Sequence, residues 1–230
     1  MRLIAWNANY NNQRRSFEAD LALLAPLNGD VIVLSETSRP KVEASGKVMW
    51  IGGEGPGLAV AALNGYSIEP SESNVEAPKL SGGFTVDGPL RFNLLAVWPV
   101  KTQGDSYARI LDACLDCHAG LLRTDRVVLA GDLNSSTRVI NQAESHPRFV
   151  ARATALGLAS VYHHQSGERH GDETKATYRH GKKTPRPFCI DYCFVSTPWL
   201  NSASLEILDG PEWEGRSDHY PLVLELPDGL

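Results

Sequence analysis

In the stretch DRVVLAGDLNSST, an apolar run from Val127 to Ala130 breaks at Gly131, and Asp132 and Asn134 follow at once. An aspartate and an asparagine after a strand are ordinary turn formers. Other apolar runs in the chain end in the same way, however. LIAWNAN closes on Asn7 and Asn9, VIVLSE closes on Glu36, and RSDHYP places Asp218 and His219 just before the final run. Asp191 lies inside CIDYCF, where a carboxylate is costly to bury unless a cation or strong donors meet it. Carboxylates of this kind suit a hard divalent ion, Mg2+ or Mn2+, which keeps several waters and takes only one or two protein carboxylates. A histidine beside one aspartate, with a second to orient it, suits acid–base work or stabilisation of charge on phosphate. Together these types point to chemistry on a phosphate ester.

The elements that must carry these residues are short β-like runs at 3–9, 30–36, 57–63, 92–100, 126–132, 190–196, 204–208 and 221–226. Alternation in a strand places Asn7 and Asn9 on one side, and Glu36 on the face of Ile32 and Leu34. Asp132 and Asn134 share a side if extended geometry continues past Gly131. Helical spacing of apolar residues predicts helices over 13–25, 105–122 and 147–156, the first ended by Pro26 and the last by Gly157. This order predicts two packed sheets with helices on their outer faces, rather than a doubly wound sheet. No glycine-rich phosphate loop follows the first strand, which counts against a nucleotide-binding fold. The polar segments 38–56 and 163–187 are long for simple connections, a length that goes with function.

A chain of 230 residues with 42% hydrophobic content is long enough for a full core and is expected to form one domain over 1–230. The net charge of −5 excludes a globally basic nucleic-acid coat but leaves room for a local basic groove. The first apolar run lacks the pattern of a cleavable signal, and no run reaches the length of a membrane span, so no membrane partner is expected. Cys114 and Cys117 fall on an apolar helix face, and Cys189 and Cys193 in or beside an apolar strand. Thiols so placed read as small hydrophobes in a cytoplasmic protein rather than as zinc ligands.

The pieces WNAN, VIVLSE, AGDLNS, IDYCFVS and SDHYPLVLEL, in this order, resemble the endonuclease/exonuclease/phosphatase superfamily, which includes pancreatic-type deoxyribonucleases and abasic-site endonucleases. The resemblance implies a four-layer α/β sandwich, two packed mixed β-sheets flanked by helices, with the site at one edge of the sheets. It implies that Glu36 is the main metal ligand, with Asn7 and Asp218 near the metal. Asp132 would orient or deprotonate the attacking water, and Asn134 would hold that water or the phosphate. His219 would stabilise charge on the scissile phosphate, and Asp191 would fix His219. The chain departs from the family in two places. Many members have a His or Tyr after the central strand, where AVWPV has Trp98; Trp98 then packs or stacks on substrate, or Tyr107, Arg109 or Tyr178 supplies the contact. Asn9 stands where some nucleases have an acidic metal ligand.

The 163–187 segment is rich in His, Lys, Arg and Tyr and leads directly to Asp191. Lys182, Lys183 and Arg186 form a candidate phosphate-tracking patch, and Arg39 and Lys41 follow Glu36 closely enough to meet a flanking phosphate. Of His163, His164 and His170 the favoured reading is a loop that lines or covers the cleft, with metal binding the weaker one. The expected activity is Mg2+- or Mn2+-dependent hydrolysis of a phosphodiester by in-line attack of water, with DNA favoured over RNA as substrate. A phosphatase or phosphodiesterase acting on a small or lipid phosphate is the alternative, and a catalytically silent binding module of the same fold is a second.

Overall fold

The computed structural model describes residues 1–42, 46–72, 77–101, 103–179 and 188–227. Its framework is a pair of six-stranded mixed sheets packed against each other. The first contains β1 (Arg2–Asn7), β2 (Val31–Thr37), β3 (Val48–Ile51), β4 (Gly57–Ala62), β11 (Ser204–Ile207) and β12 (Leu222–Glu225), in the order β11-β12-β1-β2-β4-β3. The second contains β5 (Ser67–Pro70), β6 (Ser81–Asp87), β7 (Phe92–Val97), β8 (Val127–Asp132), β9 (Leu158–Ser160) and β10 (Asp191–Ser196), in the order β5-β6-β7-β8-β10-β9. One pair in each sheet is parallel, β1 with β2 and β7 with β8.

The central strands of the second sheet are buried on both faces, and alternation distributes them between two cores. Along β8, Val128 and Ala130 join the core between the sheets, while Val127 and Leu129 pack outward. Along β10, Cys193 and Val195 face inward, and Tyr192 and Phe194 face outward. The outward core is closed by α3 (Tyr107–Cys117), with Leu111, Cys114 and Leu115, and by α5 (Ser145–Ala155), with Phe149 and Ala153. On the first sheet, α2 (Phe17–Leu24) buries Phe17 and Leu24, and Ser16 caps it by accepting from the Ala19 amide. The remaining α elements are the short turns α1 (Tyr10–Gln13), α4 (Ala119–Leu122) and α7 (Pro211–Glu214), and the six-residue α6 (Val161–Ser166). No described helix is long and apolar enough to cross a membrane. All four cysteines are reduced thiols, three of them buried, in keeping with their reading as small hydrophobes.

Four strands lie where the sequence pattern predicts none. β3 is a half-buried edge strand inside the expected 38–56 loop; β5 is an edge strand ending in Pro70; β6 opens on Ser81, Gly82 and Gly83; β9 is three residues long. Edge position and glycine content erase the period-2 signal in each. The helix expected over 105–122 breaks at His118 into α3 and α4.

Gly131 sets the position of Asp132. It has φ of 138°, and a Cβ built there would stand 2.1 Å from the Val97 carbonyl oxygen of β7. Only glycine accommodates both the backbone angle and the close approach. Gly131→Ala is expected to cost about 2–4 kcal/mol, read as a lower urea midpoint with unchanged slope. A change within about 0.5 kcal/mol would show that this contact does not constrain the strand.

Candidate active site

Asp132 ends β8 and Asp191 begins β10, and the antiparallel register sets them directly opposite each other. Both follow the rows that face the other sheet, so their carboxylates emerge at the edge of the core between the sheets; they are 2% and 3% exposed. Two carboxylates in a dry, shared place repel each other, and each needs partners. Asp191 has His219, whose Nδ1 lies 3.1 and 2.9 Å from its two oxygens. Asp132 Oδ2 accepts from Asn7 Nδ2 at 3.0 Å and from Asn134 Nδ2 at 3.1 Å.

Protonation follows from this arrangement. Burial, and then the charge of Asp191, push the Asp132 carboxyl up to about 7, against the opposing influence of His219, the Asn134 amide and Asn7. Burial works against a charged His219, but Asp191's charge and hydrogen bond, with Asp132 and Asp218, prevail and raise it to about 9. Asp132 is therefore poised as a base near neutral pH, beside an imidazolium.

The three stretches that deliver these groups share one local device. Asn7 Oδ1 accepts from the backbone N–H of Asn9, Asp132 Oδ1 from that of Asn134, and Ser217 Oγ from that of His219. Each is a side chain bonding to the backbone two residues on, and Asn9 and Asn134 adopt the left-handed conformation such turns favour, with φ of 53° and 49°. The expected alternation past Asn7 and Gly131 is thus replaced by turns, which still bring Asn9 and Asn134 to the cleft. Glu36 is also displaced from its expected face: β2 carries a bulge between Leu34 and Thr37, and Glu36 has φ of 48°. Thr37 and Arg15 both bond to buried Asp20 of α2, anchoring the chain just beyond the bulge.

A cleft of about 470 Å3 opens above these groups. Asn9, Glu36, Asn134, Asp218 and His219 line it, with Tyr107 and Tyr178. Burial first, and then the site's carboxylates, raise both phenols, so they remain protonated donors. The ring of Tyr178 lies 4.6 Å from that of His219. Trp98, in contrast, is 5% exposed and continues the inward row of Leu94 and Ala96 into the core between the sheets, away from the cleft lining. Arg109 is turned away too, exposed and within 4.0 Å of Asp105. Arg39 lies in a neighbouring surface groove with Tyr10 and Ser38. Lys182, Lys183 and Arg186 fall outside the described residues. Asn11, Asn12, Arg138, Val139, Ile140, Phe188 and Ile190 line the cleft although the sequence reading did not select them. The apolar pair Val139 and Ile140 within the polar stretch that follows Asn134 was the available signal.

Glu36 and Asp218 offer hard oxygen ligands on the cleft wall. Burial raises the Glu36 carboxyl, with Asp218 and Asp191 adding to it against Asn7 and His219, so a cation there is electrostatically favoured. Glu36 Oε1 and Asn7 Nδ2 are 3.3 Å apart, and Asn9 Nδ2 donates to Asp218 Oδ1 at 2.6 Å. This donor set fits a divalent ion of the Mg2+ or Mn2+ class. Asp132, Asp191 and His219 also present ligand atoms within 4.8 Å of one another.

A profile of the Endonuclease/Exonuclease/phosphatase family matches residues 4–219. A search of curated protein sequences finds no match. Among solved structures, the fold is similar to the endonuclease domain of TRAS1, a telomere-specific non-LTR retrotransposon, at TM-score 0.72 and 12% identity, covering 100% of this chain and 99% of that one. It is similar to an AP endonuclease from Archaeoglobus fulgidus at TM-score 0.69 and 18% identity, over 98% and 99% of the two chains. It is also similar to the 3′ phosphatase NExo from Neisseria, bound to a product DNA hairpin, at TM-score 0.72 and 17% identity, over 99% of each chain.

His219 sits above its ordinary value because of Asp191, so in chelator-treated protein the pair stabilises the fold fully below about pH 6.5. That contribution is lost as pH rises through about 9. Asp191→Asn is expected to move the His219 titration, followed by NMR, from about 9 to about 6.5 or below. An unmoved titration would show that Asp191 does not hold the charge on His219.

Proposed function

Since the chain belongs to the endonuclease/exonuclease/phosphatase family, we propose that it is a divalent-metal-dependent phosphodiesterase acting on DNA. The observation that carries this reading is the Asp132 carboxylate, pushed up to about 7 and facing the Asp191–His219 pair at the edge of two sheets. It supplies a base and a cationic donor to one spot. The alignment of the proposed roles with a family of phosphate-ester hydrolases adds the reaction class.

A divalent ion at Glu36 and Asp218, near Asn7, would polarise a phosphoryl oxygen as a Lewis acid. The chain's own residues do the rest. Asp132 takes a proton from the attacking water, with its carboxylate aimed by the Asn7 and Asn134 amides. His219, held through Nδ1 by Asp191, presents its other ring nitrogen to the charge that develops on the phosphate. Tyr107 and Tyr178 offer phenol donors where the family pattern has a His or Tyr and this chain has Trp98. Arg138 and Ile140 offer a cation and an apolar edge along the cleft for the flanking strand. A nucleic-acid substrate is favoured because the fold neighbours include an AP endonuclease and an enzyme bound to a DNA hairpin. A phosphomonoester is the second reading, favoured by the 3′ phosphatase among the neighbours.

With plasmid and 3′-phosphorylated oligonucleotides as substrates, cleavage is expected to require Mg2+ or Mn2+ and to stop with EDTA. Asp132→Asn and His219→Ala should each lower kcat by about 10²–10⁴-fold with unchanged circular dichroism. Cleavage that resists EDTA, or variants within about tenfold of the parent, would sink the mechanism. Turnover of small phosphomonoesters with no cleavage of any nucleic acid would replace the substrate assignment and leave the site intact.

Salt offers a separate check on the cleft wall. Arg138→Ala is expected to weaken binding of a DNA duplex and to reduce the slope of log affinity against log salt by about one. An unchanged slope would place Arg138 away from the phosphates.

A further inference from the structure

Behind the Arg138 wall lies a second group of polar side chains that the hydrolytic site does not use: buried His146 and Glu173, and partly buried His163 and His170. They come from α5, from α6 and from the loop after it. The side chains of His163 and Glu173 are 9% and 0% exposed, and His146 is fully buried. His163 Nε2 is 3.2 Å from Glu173 Oε1, and His146 Nε2 is 3.0 Å from His170 Nδ1. One ligand atom each from His163, His170 and Glu173 lies within 4.8 Å of the others. The rings of His163 and His170 are stacked, centroids 3.5 Å apart, so one ring must turn out of the stack for both to direct in-plane lone pairs at one ion.

Two further features point to a cation. Glu173 Oε2 is buried with no hydrogen-bond partner, although Oε1 accepts from the Gly171 amide and faces His163. A buried carboxylate oxygen left without a partner is costly. The nitrogens of His146 and His163 that face away from the group are held by hydroxyls, His146 Nδ1 by Ser135 at 3.0 Å and His163 Nδ1 by Ser160 at 2.8 Å. At His163 that is the outer-shell arrangement that orients a metal-ligating histidine. Tetrahedral zinc with bonds of about 2.0–2.1 Å spaces its ligand atoms about 3.3–3.4 Å apart, close to the 3.2 Å between His163 Nε2 and Glu173 Oε1. Imidazoles with one carboxylate suit zinc and leave Mg2+ poorly served.

We propose that His163, His170 and Glu173 form a zinc site that fixes the wall of the cleft, with water as fourth ligand and His146 held against His170. The link to the wall is direct. Gly171, between His170 and Glu173, accepts from Arg138 Nε, and a Cβ on Gly171 would stand 2.1 Å from Thr137 Oγ1. Ser135, which holds His146, is the residue after Asn134. A few residues beyond Glu173 the chain reaches Tyr178 at the cleft.

The test uses full-length protein stripped with a strong chelator, then offered zinc or Co2+, with bound metal measured by mass spectrometry. Wild type and Glu36→Gln are each expected to retain one zinc ion after desalting, and His170→Asn/Glu173→Gln to retain none. Zinc should raise the thermal midpoint of wild type by roughly 5–10 °C at saturation, and the double variant should not respond. Co2+ should give the strong visible bands of a four-coordinate site in the wild type, a readout that stands even if the double variant fails to fold. The proposal is overturned if stripped wild type takes up no zinc, or if Glu36→Gln abolishes uptake while the double variant keeps it. Weak, six-coordinate Co2+ bands overturn it too.

Discussion

The pairing of β8 with β10 sets Asp132 against Asp191, and much of the rest of the site answers that one juxtaposition. Facing carboxylates at a dry sheet edge repel each other, so one must take up a proton or find a cation. The chain does both. Asp132 is pushed up to about 7, and His219 is held as an imidazolium against Asp191. The surrounding contacts keep His219 in place: Trp6 Nε1 donates to its carbonyl, Ser217 Oγ accepts from its amide, and Arg179 donates to the Ser217 carbonyl. Thr177 Oγ1 accepts from the Asp191 amide and aligns the other partner. Electrostatic strain that would weaken a core becomes, at this edge, the source of a base and a charged donor.

In AGDLNS the turn and the proposed site coincide. Asn and Asp are turn formers because their side chains accept from a backbone amide two residues on, and Asp132 does this through Oδ1. The same bond fixes the rotamer that leaves Oδ2 for the Asn7 and Asn134 amides. Asn7 repeats the arrangement on the first sheet, and Ser217 repeats it before His219. A catalytic group gains precision when its own turn locks it, because no long side chain elsewhere needs to be ordered for the purpose.

Legibility in the sequence followed burial. β1, β2, β7, β8 and β10 are continuous apolar runs and were readable, all but β7 with a polar site residue at one end. β3 and β5 were not, because edge strands bury too little to show a period, and β6 was not, because Ser81, Gly82 and Gly83 at its start carry no apolar side chain. Trp98 is a subtler case. It reads as a substrate contact from its place after β7, yet the inward parity of Leu94 and Ala96 carries it into the core. Arg138 and Ile140 reach the cleft by way of an irregular loop, and no local pattern encodes where such a loop ends up.

The chain's histidines show how far neighbours decide what a side chain can do. Burial opposes the charged form at His146, His170 and His219 alike. At His146 and His170 it prevails, lowering them to about 4 and about 3, because Glu173 is the one carboxylate that favours charge there, and neighbouring imidazoles oppose it. At His219 it loses, because Asp191 bonds directly to the ring and Asp132 and Asp218 stand near. The same residue type is therefore a donor at one end of the 163–219 segment and a bearer of lone pairs at the other. What separates them is the number of carboxylates within reach, and the pairing of β8 with β10 supplies two of the three at His219.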